Sequence, residues 1–520
     1  MKQPVHVKFG TDARRKMLKG METVYKAVSS TLGPNAKNVA INQAYGSPKI
    51  IHDGVSVAQS IELFDEFEDM GAKLIKQASI NTNDRSGDGT TTSMILSFDL
   101  ITKGLQDIEA GANSQILKKE IKEAYEISIK ELSKLKREVK DSKDIEKVAT
   151  ISSADPEIGK MIAEAIEKVG KNGLVTTEEG RGFTTEIEYK SGLEFDRGYS
   201  SSSPYFVNDV DTETCILEDA YILMTDIKIN YSHQLVPLME KLLKENKKLV
   251  IFGEVQEEAL NTLVVNKLRG VQVASVQAPS FGERRLEELE DIASVVGGVV
   301  IRSDSGRDIA TVTIEELGHA EKVIIGKDST KIQGGTGDEV RGKERISNIT
   351  NQIEISKSDY EKEYKKTRLA KLTGGVAIIK VGAVNEVELS DRKERIVDAI
   401  SAAKSAIEEG TIAGGQIAFL TISQMDIWPN TLGAKIFRES LKKPFKVLME
   451  NAGYDYAEKL SSILPIKYPL AIDATTGEVK DMLKSGIIDS FKVCRCALEN
   501  AVSVAGMAYT TETLISEPYK

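Results

Sequence analysis

The amino-acid sequence predicts a multidomain α/β protein, and three observations carry that expectation. The chain has 520 residues, several times what one ordinary hydrophobic core holds, so roughly two to four domains are expected. From about residue 192 to residue 301, helical and strand-like segments alternate in the βαβ rhythm of a compact α/β domain. Long, amphipathic, helix-compatible stretches flank that region on both sides.

Composition narrows the class. The formal net charge is −10 and the isoelectric point about 5.4, so a broadly basic nucleic-acid surface is not expected. Hydrophobic residues make up 41% and charged residues 28% of the chain, a balance that supports folding. No apolar run approaches the length of a membrane span, and the first residues lack a signal-peptide core, which together predict a cytoplasmic protein without membrane partners. Cys215, Cys494 and Cys496 are too sparse for a disulfide framework. Cys494-Arg495-Cys496 has no second Cys pair or nearby His, so buried thiols are favoured over half a metal site.

Residues 8–30 have a charged helical pattern that Thr31-Leu32-Gly33-Pro34 must stop. Short β-prone pieces at 38–41 and 49–51 precede the turn-type sequence His52-Asp53-Gly54. Helix is expected over 61–82 and again after residue 90, where Met94, Phe98, Ile101 and Leu105 share a face. From 114 to 139, Ile121, Tyr125, Leu132, Leu135 and Val139 line one side of a long helix. A packed amphipathic helix suits about three heptads better than a coiled coil. Another helix runs from Asp155-Pro156 to about Val169, followed by strands at 173–177 and 184–189.

Helices at 232–246, 256–269 and 283–296 then alternate with strands at 249–252, 271–276 and 299–301. The runs Leu235, Val236, Leu238, Met239 and Leu260, Leu263, Val264, Val265 fit packing onto a sheet, or an exposed apolar groove for protein binding. Pattern alone leans to packing. A charged helix spans 344–371, a glycine-bounded strand 374–382, and a helix with Asp398 ends at Glu408-Glu409-Gly410. The remainder is mainly helical, with a non-helical insert around 465–473.

The stretch Asp84-Arg85-Ser86-Gly87-Asp88-Gly89-Thr90-Thr91-Thr92 forms a loop and a helix start. Uncapped N–H groups at a helix start attract anions, Gly permits close approach, Thr hydroxyls add donors, and Asp88 suits a divalent cation. It is not a Walker loop, since no Gly-Lys-Ser or Gly-Lys-Thr follows. A plain helix cap explains the stretch, taken alone, about as well.

Several motifs recur in a single order: Lys8-Phe9-Gly10-Thr11-Asp12, Thr31-Leu32-Gly33-Pro34, Asp53-Gly54-Val55-Ser56-Val57-Ala58, and Gly87-Asp88-Gly89-Thr90-Thr91-Thr92. Gly198-Tyr199, Pro204-Tyr205-Phe206, Thr262-Leu263-Val264-Val265-Asn266, Ala278-Pro279-Ser280-Phe281-Gly282, Glu408-Glu409-Gly410 and Ala413-Gly414-Gly415 follow. In that combination the chain resembles the group I chaperonins, the bacterial GroEL family, over essentially its full length.

The resemblance implies a mostly helical equatorial ATPase domain (1–134 and 410–520), a small α+β intermediate hinge domain (135–191 and 375–409), and an α/β apical domain (192–374). It implies an ATP hydrolase coupled to protein folding, which binds non-native polypeptides in the cavity of a homo-oligomeric ring of roughly seven subunits. A lid-like co-chaperonin then encloses the client. ATP, Mg²⁺ and K⁺ are the implied cofactors. Thr31, Leu32, Gly33, Pro34, His52, Gly54, Gly87, Asp88, Gly89, Thr90, Thr91 and Thr92 would hold the phosphate side, with Asp88 the metal ligand. Gly414, Gly415, Asp473, Ala474 and Asp489 would line the nucleoside end.

Asp53 and Asp398 would handle hydrolysis, Asp398 arriving as the hinge closes. Tyr199, Tyr205, Phe206, Val236, Met239, Leu260, Val264 and Val265 would bind clients, which tips the apolar runs toward a groove.

The chain also departs from the family pattern. His52 stands where Lys is usual, and a neutral imidazole attracts phosphate less. Gln416 replaces a third Gly, Ile472-Asp473-Ala474-Thr475 replaces Tyr-Asn-Ala-Ala, and Ser200 to Ser203 make the apical loop more polar. The region 446–456, where family rings meet back to back, also differs. These departures motivate the alternative of a divergent paralogue with weak nucleotide cycling that holds polypeptides. An enzyme phosphorylating a small molecule has no acceptor-activating group to support it.

Overall fold

The computed structural model describes residues 5–42, 49–51, 53–170, 173–180, 182–190, 192–199, 202–210, 212–356 and 358–516. His52, Ser200 and Ser201 lie outside the described residues. The chain divides into two compact units, one formed by Met1–Glu164, Thr177–Thr185 and Val381–Lys520, the other by Ala165–Thr176 and Glu186–Lys380.

The first unit is a helical assembly drawn from both chain ends. Its helix Gly10–Ser29 turns Ala13, Met17, Met21, Val24 and Val28 inward at helical spacing, and Asp65 caps the helix Glu66–Ser86 by accepting from Phe67 N and Glu68 N. The helix Thr90–Glu109 is buried over much of its surface and packs against Phe491–Thr510, Glu66–Ser86 and Gly10–Ser29. Burial of Met17, Met94, Leu96, Phe437, Leu498 and Tyr509 joins these helices in one core. The strands His6–Phe9 and Thr513–Ser516 pair antiparallel, so the two chain ends meet.

The second unit carries the expected mixed sheet. Its strand order is Gly192–Phe195, Thr330–Gly335, Gly318–Ile325, Cys215–Thr225, Lys248–Phe252 and Val273–Val276, with Val300–Ile301 paired to the end of Cys215–Thr225. The pairings from Cys215–Thr225 to Lys248–Phe252 and on to Val273–Val276 are parallel. Residues such as Leu223, Val250, Ile251, Leu263 and Ala293 fill the core. A three-stranded sheet orders Leu174–Glu179, Val376–Val381 and Glu186–Lys190.

Several boundaries differ from the sequence reading. The helix beginning at Ser114 ends at Leu135 rather than at Val139, because Lys136 is extended and Arg137 exchanges backbone hydrogen bonds with Thr411. An additional helix, Ser142–Ser153, follows, started by Asp141 accepting from Asp144 N. The charged stretch near 344–371 is two helices, Glu339–Ile355 and Asp359–Gly374. The eleven-residue strand Cys215–Thr225 and the strands Gly318–Ile325 and Thr330–Gly335 were not apparent from the pattern.

Candidate active site

The phosphate-loop segment folds into a tight joint between two helices of the first unit. Glu66–Ser86 ends at Gly87, and Thr90–Glu109 starts after Gly89, whose φ of 83° is the left-handed region that side chains resist. A Cβ on Gly89 would also lie 2.6 Å from Val493 Cγ1. No side chain caps the first turn of Thr90–Glu109, which leaves N–H groups at the positive end of a long helix. Gly54 permits a second close approach, since a Cβ there would lie 2.4 Å from Thr91 Oγ1. Thr31 donates to the Val28 carbonyl at 2.8 Å and its oxygen sits 3.0 Å from Thr91 Oγ1.

Asn451 holds the adjoining turn by donating to the Ser29 and Leu32 carbonyls at 2.9 and 3.0 Å. Leu32 and Gly33 are half-buried there and Pro34 is exposed. Nothing in the sequence pattern pointed to Asn451 for this role.

Three aspartates from separate segments face this joint. Asp53 caps the helix Gly54–Gln59, accepting from Val55 N at 3.2 Å and Ser56 N at 2.7 Å, so its carboxylate is fixed. Asp88 accepts from Gly89 N at 2.5 Å and from the Ser152 hydroxyl at 3.3 Å. Ser152 belongs to the helix that the pattern did not reveal, although Asp141 and Asp144 were legible as start signals. The helix Glu386–Glu409, which carries Asp398, is tied to the joint by Ser405 donating to Ser86 O at 3.0 Å.

Burial drives the carboxyl of Asp398 well above the ordinary carboxylate range, and the charges of Asp53, Asp88 and Glu394 push the same way. Asp88 is raised by burial and by Asp53, against the pull of its hydrogen bonds from Gly89 and Ser152. Asp489 is pushed up to about 7 by burial and by Asp88. Crowded, poorly hydrated carboxylates of one sign make a donor set that a cation would relieve. Among the described residues no group of three or more His, Cys, Asp or Glu converges with metal-site geometry.

At the opposite end, Gly414 and Gly415 leave the strand Thr411–Ala413, which pairs with Ile488–Ser490 and sets Ile412 opposite Asp489. A Cβ on Gly414 would lie 3.1 Å from Asp489 Oδ1, and one on Gly415 would lie 3.8 Å from the Ile472 carbonyl. Asp473, expected at this end, has its carboxylate engaged locally by Thr475 and Lys480. Its carboxylate accepts from Thr475 N at 2.9 Å, the Thr475 hydroxyl at 2.6 Å and Lys480 Nζ at 2.7 Å. Burial acts upward on it, but Lys480 and Thr475 outweigh that and hold the group at about 2. Ala474 beside it is buried. His52 lies outside the described residues.

The apolar residues expected to meet clients lie in the second unit and separate into two sets. Phe206 is 0% exposed, Met239 6% and Tyr199 9%, so these three belong to the core. Tyr205 is 63% exposed, Val265 45% and Val236 37%, while Leu260 and Val264 are half-buried against the core. The turn Pro204–Phe206 and the turn Ser232–Gln234 both pack on the helix Glu257–Leu268, which gathers the exposed set on neighbouring elements. Tyr231 and Leu268, also exposed there, were not singled out from sequence.

Among the described residues, no helix is long and apolar enough to cross a membrane. Cys494 and Cys496 are buried on the helix Phe491–Thr510.

Comparison with solved structures finds the same architecture in the chaperonin gp146 from bacteriophage EL 2 (Pseudomonas aeruginosa), crystallised in the presence of ATP-BeFx. One crystal form matches with a TM-score of 0.72 at 22% identity, covering 99% of both chains. Another matches with a TM-score of 0.66 at 21% identity and the same coverage. The model of the TCP-1/cpn60 chaperonin family matches residues 24–518. With a family match over nearly the whole chain and the same fold in a phage chaperonin, this chain belongs to the TCP-1/cpn60 chaperonin family.

Proposed function

We propose that the chain is an ATP-dependent molecular chaperone that hydrolyses ATP at the joint built by Asp53, Asp88, Thr90–Thr92 and Asp398. The observation that carries this reading is the convergence of three aspartates from distant segments on an uncapped helix start. The uncapped N–H groups and threonine hydroxyls receive the phosphates, and the loop Thr31–Pro34, held by Asn451, forms one wall. Mg²⁺, held by Asp88, supplies charge neutralisation on the phosphate oxygens when bound. K⁺ is a further cation of the same acidic site.

Asp398, whose buried carboxyl has its proton affinity raised by burial and by the neighbouring Asp53 and Asp88 charges, orients the attacking water and takes its proton. Asp53, fixed by its cap hydrogen bonds, steadies that water. Gly414, Gly415, Ala474 and Asp489 enclose the nucleoside. The match to a chaperonin crystallised with ATP-BeFx supports the nucleotide reading.

The division into equatorial (1–134, 410–520), intermediate (135–191, 375–409) and apical (192–374) domains belongs to this proposal. So do a ring of roughly seven subunits, a lid-like co-chaperonin and work in the cytoplasm. Within the apical domain the exposed Tyr205, Val236 and Val265, with the half-buried Leu260 and Val264, form the client face.

The test mixes the purified chain with a chemically denatured client and follows aggregation, client activity and phosphate release, with and without Mg²⁺-ATP. Client activity regained only with ATP, alongside phosphate release, is the expected result. Suppressed aggregation with no ATP turnover would replace the proposal with a polypeptide-holding role. Particle mass in solution, with and without ATP, tests the ring.

A further inference from the structure

Gln416 sits in the candidate site with a left-handed backbone, φ 61°, where a side chain is strained and glycine is not. It precedes the helix Ile417–Ser423, yet its side chain makes no cap hydrogen bond to that helix. Its amide reaches the phosphate joint instead, Nε2 donating to Thr92 Oγ1 at 3.3 Å. The other end of the amide, Oε1, is buried and accepts nothing among the described residues. Strained backbone and an orphaned carbonyl, set against one long hydrogen bond, make Gln416 a poor stabilising choice. Residues of that kind are expected where function requires them.

The other partner explains the requirement. Thr92 is 7% exposed, and among the described residues its hydroxyl accepts from Gln416 while its own proton has no acceptor. A hydroxyl that accepts a hydrogen bond becomes a better donor, and its proton is directed away from the group that bonds it.

We infer that Gln416 is a positioning residue for nucleotide: its amide N–H fixes the Thr92 hydroxyl so that the Thr92 proton is presented to a phosphate oxygen. The inference rests on the reading of Thr90–Thr92 as the phosphate cradle. The opposite amide orientation would make Thr92 donate to Gln416 and withdraw that proton from the phosphates, so the polarity of the pair is what has to be tested.

The experiment measures Mg²⁺-ATP affinity and the nucleotide-free thermal midpoint for the full-length chain and for Gln416→Gly, Gln416→Met, Gln416→Glu, Thr92→Val and the Thr92→Val/Gln416→Met double variant. The expected result is opposite movement in Gln416→Gly, with the midpoint rising while ATP affinity falls about tenfold. A merely structural residue would lose both together, and that outcome overturns the inference. Gln416→Met should weaken ATP about as much as Gly, and the double variant should be no weaker than Thr92→Val alone.

Losses that multiply in the double variant would show that Gln416 does not act through Thr92. Gln416→Glu keeps the size but can only accept, so it should weaken ATP most. Wild-type affinity in that variant would reverse the polarity and defeat the inference. Wild-type binding with unchanged Gln416→Met affinity removes this inference alone, whereas a wild-type chain that binds no ATP removes it together with the reading of the whole site.

Discussion

At the phosphate end of the candidate site, groups with unspent hydrogen-bonding capacity face an acidic joint: the uncapped start of Thr90–Glu109 and the Thr92 proton. At the nucleoside end the carboxylate of Asp473 is already satisfied, spent on Thr475 and Lys480. An unsatisfied set has bonding energy left for a ligand, whereas a satisfied set offers shape only. Affinity should therefore come from phosphates and cation, with the base adding little discrimination.

The largest effect expected from breaking this contrast is at Asp398. Asp398→Ala should lower the single-turnover hydrolysis rate by about 100-fold or more, with ATP affinity within about threefold of wild type because Asp398 acts on water rather than on binding. Equal loss of binding and rate would return Asp398 to a structural role. Next is Asp88→Asn, expected to weaken ATP about 30-fold in Mg²⁺, the cost of removing one partner from a buried charge pair. Binding measured in excess chelator should not fall, and an equal loss there would show that Asp88 holds the loop rather than the metal.

A smaller effect concerns Asp489, which sharpens the boundary between the two ends. Its folded-state value of about 7 lies above the ordinary 3.8, so the folded chain favours the neutral acid. The stability this group contributes is complete below pH 3.8 and is lost as pH rises through 7. Asp489→Asn removes that dependence. In the nucleotide-free and metal-free protein, the variant should gain roughly 2–4 °C in thermal midpoint over wild type between pH 5 and pH 8. A constant difference across that range would place Asp489 in a more polar environment.

The smallest effect is base choice. ATP and GTP affinities should differ by less than about tenfold in wild type, because no free acceptor of Asp473 reads the exocyclic group. Lys480→Met frees one carboxylate oxygen and should tilt the ratio toward ATP by a few-fold at most. An ATP preference of about 10⁴ in wild type would contradict the satisfied-pocket reading.

The phosphate loop was legible because its chemistry is local: two glycines, an aspartate and three threonines before an apolar helix make sense within ten residues. Long amphipathic helices were legible for the same reason, through spacing such as Met17, Met21, Val24 and Val28. Ser142–Ser153 was missed because it buries only Ile145, Val148, Ala149 and Ser153, two of them small. The strand Cys215–Thr225 was hidden by exposed Glu218 and Asp219 in its middle. Two features were beyond any local pattern: that Ser152 reaches Asp88, and that the altered residue Gln416 reaches Thr92. Both link segments far apart in the chain, which periodicity cannot register. The buried state of Phe206 and Met239 escaped for a related reason, since an apolar residue reads alike in a groove and in a core.

The antiparallel pairing of His6–Phe9 with Thr513–Ser516 closes the first unit with its last-made strand. On the ribosome, the second unit has all of its residues by Lys380, while the helices Gly10–Ser29 and Thr90–Glu109 must wait for Phe491–Thr510 to cover their apolar sides. At 5–20 residues per second, the wait from the end of Thr90–Glu109 to the end of Phe491–Thr510 lasts roughly 20–80 s. Nascent chains of this protein should thus hold a finished second unit and an open, sticky first unit, and are themselves clients for whatever guards new polypeptides as they emerge.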